Sequence, residues 1–146
     1  MVSDFIGRYL NKVDKKGRVS VPAGWRPSLI SKDFSGIIAQ SSLSEKAIDA
    51  YPRDYLELLQ GKLDLNDPLL EENEYESTVI FGGSVLSFDS EGRVVLSDSL
   101  RNEINLASEA LFVGMGRRFR IWNPNIFNEY LGRAKSYMDK RRKNKA

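Results

Sequence analysis

Asp14-Lys15-Lys16-Gly17-Arg18-Val19 and Asp89-Ser90-Glu91-Gly92-Arg93-Val94 share the pattern D-x-x-G-R-V, so the chain carries the same turn twice. Slid along itself by 75 residues, the chain places Phe5–Leu29 on Ile80–Ile104. Six of those 25 positions are identical: Gly7/Gly82, Asp14/Asp89, Gly17/Gly92, Arg18/Arg93, Val19/Val94 and Arg26/Arg101. Ordinary composition gives about one or two by chance. Val13/Phe88, Val21/Leu96 and Leu29/Ile104 are apolar in both copies. A looser echo follows, with Ala47–Pro52 matching Phe119–Pro124 at an offset of 72. A fixed internal period marks a repeated structural unit. The chain therefore divides into a first repeat at 7–53, an acidic helical or loop linker at 54–81, a second repeat at 82–125, and a C-terminal helix with a basic tail at 126–146.

Within each repeat the local signals agree. Tyr9 to Val13 alternates apolar and polar residues, as does Val19-Ser20-Val21, which is the period of a half-buried strand. Glycine at the fourth position of the turn fits a type I turn closed by a positive-φ residue. Asp14 and Asp89 suit the turn's first position, where a carboxylate accepts from nearby backbone amides. Each D-x-x-G-R thus reads as a hairpin tip whose arginine starts the return strand. Pro22 predicts a short helix to Leu29, and Ser97 or Asp98 caps its counterpart through Ile104. Strands are expected at Ile37–Gln40, Ala47–Ala50, Leu111–Gly114 and Phe119–Trp122. Helices are expected from Pro52, around Leu69–Val79, and over Pro124–Met138. The class is α+β, a small mixed barrel. One copy of this size buries too little surface alone, so two would share a core about a pseudo-two-fold axis. Tyr9, Trp25, Tyr55, Phe88, Phe112, Trp122 and Phe127 read as core aromatics rather than stacking platforms. The glycines at 82–83 and at 114 and 116 read as tight turns or bulges, since they lack the context of a phosphate loop.

Composition removes much of enzyme chemistry. The 146 residues include no histidine and no cysteine. Imidazole acid–base catalysis, thiolate nucleophiles and the common zinc ligand sets are excluded. No metal, cofactor or small-molecule substrate is expected. No apolar run approaches the ~18 residues of a membrane span, and MVSDFIGRYL carries no secretory pattern. A cytoplasmic location is expected. The formal charge is +2, but Gly132–Ala146 holds seven bases and one acid, while Asp64–Glu76 holds six acids and no base. The acidic block reads as solvated surface. The basic tail reads as a disordered, non-specific extension or as electrostatic help in holding a polyanion.

L-N-K-V-D-K-K-G-R-V-S-V-P at Leu10–Pro22 and L-S-F-D-S-E-G-R-V-V-L-S at Leu86–Ser97 resemble the two signatures of the bacterial MraZ proteins. F-R-I-W-N-P-N-I-F-N-E-Y-L at Phe119–Leu131 resembles that family's closing strand and helix. The resemblance spans nearly the whole chain. It implies an AbrB-like swapped-hairpin (double-split) β-barrel, formed here by two AbrB-like repeats in one chain with peripheral helices. It also implies a transcriptional regulator of the division and cell-wall gene cluster. Such a protein binds short repeated boxes in double-stranded promoter DNA as a ring-like homo-oligomer, and associates with the nucleoid. The DNA-contact role maps onto Lys15, Lys16, Gly17 and Arg18, with Arg93 secondary. Many members carry arginine before the glycine of the first strand. Here Ile6 stands there, and Arg8, on the other side of Gly7, is a peripheral candidate.

Arg18 has two readings. It pairs with Asp14 and merely fixes the tip, or its guanidinium faces phosphate or the O6/N7 edge of guanine. Asp14–Arg18 sums to +2 and Asp89–Arg93 to −1, which favours the first tip as the main contact and gives Asp89 and Gly92 a structural part. An antitoxin-like DNA binder that also neutralises a partner protein is an alternative. A hydrolase using Asp14 and Asp89 as paired carboxylates fits poorly, because the repeat puts them on separate hairpins.

Overall fold

The computed structural model describes residues 5–145. The first repeat supplies β1 (Arg8–Lys12), β2 (Arg18–Ser20), a 3-10 turn at Arg26–Leu29, β3 (Gly36–Ser41) and β4 (Ile48–Tyr51). Two linker helices follow, α1 (Arg53–Leu63) and α2 (Glu71–Phe81). The second repeat supplies β5 (Ser84–Ser87), β6 (Arg93–Val95), α3 (Asp98–Glu103), β7 (Glu109–Gly114) and β8 (Phe119–Trp122), and α4 (Pro124–Lys145) closes the chain.

The class is α+β, with all strand pairs antiparallel. Six strands form one sheet in the order β1-β7-β8-β4-β3-β5, and β2 and β6 form a separate ribbon. β1 of the first repeat lies on β7 of the second, Arg8 opposite Val113 through Lys12 opposite Glu109. β5 of the second repeat lies on β3 of the first. The leading strands are thus exchanged between the halves. The ladders form two sheets linked by an isolated bridge between Val13 and Val19, and no ladder among the described residues closes them into a barrel.

One core serves both halves. Val19 and Val94, Val21 and Leu96, Trp25 and Leu100, Leu29 and Ile104, and Ile37 and Phe112 are buried as repeat-related pairs in a single cluster. Burying each such side chain stabilises by about 1.5–3 kcal/mol. Neither repeat encloses this cluster by itself. A second cluster, Ala47, Trp122 and Phe127 with Tyr130 and Leu131, seats the start of α4.

Three expectations are corrected. The Pro22–Leu29 helix is only a 3-10 turn, because Gly24 disfavours helix and Pro27 cannot donate its backbone N–H. Tyr9 is 46% exposed although its ring meets Trp25 edge-on. The C-terminal tail is helical to Lys145 rather than disordered. Good helix formers fill that stretch, and Arg142, Lys143 and Lys145 complement the negative end of the helix dipole. The expected cap on α3 is formed by Ser97, whose Oγ accepts from Leu100 N–H at 3.2 Å.

Candidate nucleic-acid interface

The two tips have one construction. Asp14 Oδ1 accepts from the Lys16 and Arg18 backbone N–H groups, each at 2.9 Å. Arg18 Nε donates to Asp14 Oδ2 at 2.6 Å. In the second tip Asp89 Oδ1 accepts from Glu91 and Arg93 N–H at 2.9 Å, and Arg93 Nε donates to Asp89 Oδ2 at 2.8 Å. Gly17 at φ +85° and Gly92 at φ +76° close the turns. The aspartate thus orients the arginine through Nε, and in the first tip the terminal guanidinium nitrogens of Arg18 stay outside that pairing. The pairing reading of Arg18 and its outward-facing reading are therefore compatible.

The Asp14 carboxyl is held below its ordinary value of 3.8 chiefly by the Arg18 backbone N–H, against the upward push of burial, with further lowering from the Arg18 side chain and the Lys16 amide. Asp89 is lowered in the same way by Arg93 and Glu91. The depressed folded-state value makes the ionised tip the more stable one. That contribution is present above the unfolded carboxyl value of 3.8 and is lost as pH falls through the folded one. The Lys16 and Arg18 amide resonances should move with the Asp14 titration at acid pH and stay still in Asp14→Asn. Amides that move equally in both proteins would contradict the assignment.

Each tip is braced by the other repeat. Arg101 packs over Gly17, and its Nε donates to Leu96 O at 3.0 Å. Arg26 packs over Gly92 and donates to Glu91 O at 3.3 Å. Leu96 N–H donates to Gly17 O at 2.8 Å, and Val21 N–H to Gly92 O at 3.2 Å. Gly17 is buried and both its backbone polar groups are engaged, so it shapes the tip. A Cβ on Gly17 would lie 2.2 Å from Leu96 O, whereas one on Gly116, at nearly the same φ, would meet nothing. Gly17→Ala should destabilise by about 3 kcal/mol, from left-handed strain plus overpacking. Gly116→Ala should lose only the strain, about 1–2 kcal/mol. Urea unfolding of both separates the two effects, and equal losses would contradict the close approach.

The ribbon fixes which way the arginines face. Arg18 lies opposite Val95, Val19 opposite Val94, and Ser20 opposite Arg93. Val19 and Val94 point into the core at 1% exposure each. Strand alternation then puts Arg18, Ser20, Arg93 and Val95 on the outer face. Arg18 and Arg93 are diagonal neighbours, about 7–8 Å apart at their Cα atoms. The tips differ in their loading. Arg93 Nη1 also reaches Glu91 at 3.4 Å. Lys16 takes the position of Glu91 in the first tip and leaves Arg18 without that second carboxylate.

Lys15 and Lys16 are exposed on the first tip. Arg8 is not brought to it. It lies at the far end of β1, its guanidinium 5.0 Å from the centre of the Phe127 ring. Sequence reasoning gave no role to Arg26 and Arg101, although their identity in the repeat was the available signal. Among the described residues no group of three or more acidic side chains could hold a metal ion. No helix of these residues is long and apolar enough to cross a membrane.

These features define a class: a tandem-repeat α+β protein that sets two arginine-bearing hairpin tips on the outward face of one half-buried two-stranded ribbon. Comparison with known proteins gives the particular family. A family model described as "MraZ protein, putative antitoxin-like" matches residues 80–145. "Transcriptional regulator MraZ" of Rickettsia canadensis (strain McKiel) is 44% identical over 131 residues, covering 89% of this chain and 88% of that protein. The same-named proteins of Rickettsia africae (strain ESF-5) and Rickettsia bellii (strain OSU 85-389) are each 41% identical, with 94% of this chain and 93% of theirs covered. The chain belongs to the MraZ family of transcriptional regulators. Its role is that of a DNA-binding regulator and not of an enzyme.

Proposed function

We propose that this protein reads promoter DNA with the outer face of the β2–β6 ribbon. Arg18 makes the base contact, Lys15 and Lys16 hold phosphate, and Arg93 gives a second, weaker contact. The observation that carries this reading is the shared outward face of Arg18 and Arg93 above the buried Val19 and Val94. The strand exchange between repeats supports an AbrB-like swapped-hairpin architecture, with 7–53 and 82–125 working as one unit across the ribbon. In this reading the target is the promoter of the division and cell-wall gene cluster, and the protein resides with the nucleoid in the cytoplasm.

A three-residue ribbon strand spans few base pairs, so specific affinity requires several copies on adjacent boxes. A ring-like homo-oligomer presenting its ribbons in a row meets that need. Affinity should rise steeply from one box to two and three, and should fall when about 5 bp, half a helical turn, is inserted between boxes. A monodisperse monomer that binds one box as tightly as an array would overturn the multivalent mechanism.

A further inference from the structure

The far half of α4 has no partner within its own chain's core. Every residue from Lys135 to Lys145 is exposed, a bare rod of about 16 Å at about 1.5 Å per residue. Isolated helices of this length are marginal in water. This one nonetheless shows apolar surface, with Tyr137 62% and Met138 48% exposed. It carries six cations, Lys135, Lys140, Arg141, Arg142, Lys143 and Lys145, against Asp139. The α1–α2 hairpin shows the opposite character. Its turn and second helix hold Asp64, Asp67, Glu71, Glu72, Glu74 and Glu76 with no base among them. Leu65 and Leu69 there are 87% and 91% exposed. A cleft of about 390 Å³ opens between these helices, with Asp64 and Glu74 beside Leu63, Pro68 and Phe81.

We infer that the basic end of α4 docks on the acidic α1–α2 hairpin of a second copy of this chain. Six cations oppose six acids, although Arg142 is already paired with Asp139 of its own helix, and each surface also offers exposed apolar side chains. The contact is head-to-tail, because the two surfaces differ, and a contact of that kind closes rings or extends filaments. DNA is the weaker occupant for this helix. α4 is rooted where Phe127 meets Arg8, at the end of β1 farthest from the Asp14–Arg18 tip. The inference rests on the homo-oligomer of the proposed function and supplies its contact.

The absence of cysteine makes a direct test clean. Met138→Cys and Leu69→Cys proteins are mixed under mild oxidation. The expected product is a disulfide dimer containing one of each, strongly reduced at about 1 M salt, where the screening length falls to roughly 3 Å. In parallel, Lys140, Arg141, Arg142 and Lys143 are changed together to Glu, and Glu71, Glu72 and Glu74 together to Lys. Each set should lower the assembly mass in light scattering, and the two combined in one chain should restore it. A wild-type oligomer whose mass neither set changes, with no mixed disulfide, would overturn this contact and leave the homo-oligomer standing. A wild-type monomer at all concentrations would overturn both. Loss of DNA affinity with unchanged mass would overturn the docking and assign the helix to DNA.

Discussion

Asp49→Ala is expected to destabilise the protein by about 3–5 kcal/mol, the effect of leaving a buried charge without its partner. Asp49 and Arg120 face one another across β4 and β8, where the first repeat's sheet meets the second's. Arg120 Nε donates to Asp49 Oδ1 at 2.7 Å, and both side chains are almost wholly buried. The Arg120 guanidinium lies 5.9 Å from the ring centres of Trp122 and Tyr130, so it has little water to turn to. Arg118, 3.7 Å from Asp49 Oδ2 and 36% exposed, can turn to solvent when the aspartate is gone. Arg120 cannot. Replacing both partners by apolar residues, Asp49→Leu with Arg120→Met, should therefore recover much of the loss, because no orphan charge remains. Urea unfolding of the single and double variants checks this. A single-variant loss below about 1 kcal/mol, the scale of a surface pair, would contradict the buried-staple description.

Arg18→Ala should weaken specific DNA binding by about 1–3 kcal/mol for each engaged subunit, the size of a lost bidentate base contact. Because several subunits act together in the proposed array, the per-copy losses multiply into a large fall in affinity. Arg18→Lys should rescue little specificity, since a point charge replaces a planar fork. Lys15→Ala and Lys16→Ala should weaken all sequences alike and reduce the salt slope by about one each. Arg93→Ala should cost less than Arg18→Ala, because Asp89 and Glu91 already engage its guanidinium. The Arg18 variant should remain folded, as the tip is also held by the Gly17 and Leu96 backbone contacts.

The hairpin tips were legible because turn chemistry is local: D-x-x-G fixes its own hydrogen bonds and its own positive φ. The repeat likewise announced a shared core, and Val19/Val94 and Leu29/Ile104 lie in it. Strand exchange was not legible from periodicity, since alternation shows which face of β1 is buried but not that β7 is its neighbour. Asp49 and Arg120 were missed for a related reason. A lone charge in an apolar strand reads as surface until its cross-strand partner is known. Arg26 and Arg101 stood out as identities, yet their purpose lies in packing on the glycine of the opposite tip. The Pro22 signal misled because Gly24 and Pro27 downstream weaken the helix it opens. The tail was misread because its charge suggested disorder, while its residues are individually good helix formers.

Whether Arg18 reads promoter DNA is tested by a salt-dependent binding titration on the DNA upstream of the chain's own gene, beside a scrambled duplex, with the wild type and Arg18→Ala. The wild type should prefer the promoter, and Arg18→Ala should lose most of that preference while its affinity for scrambled DNA falls far less. A folded Arg18→Ala protein that keeps the wild-type preference at every salt concentration would contradict this role for Arg18.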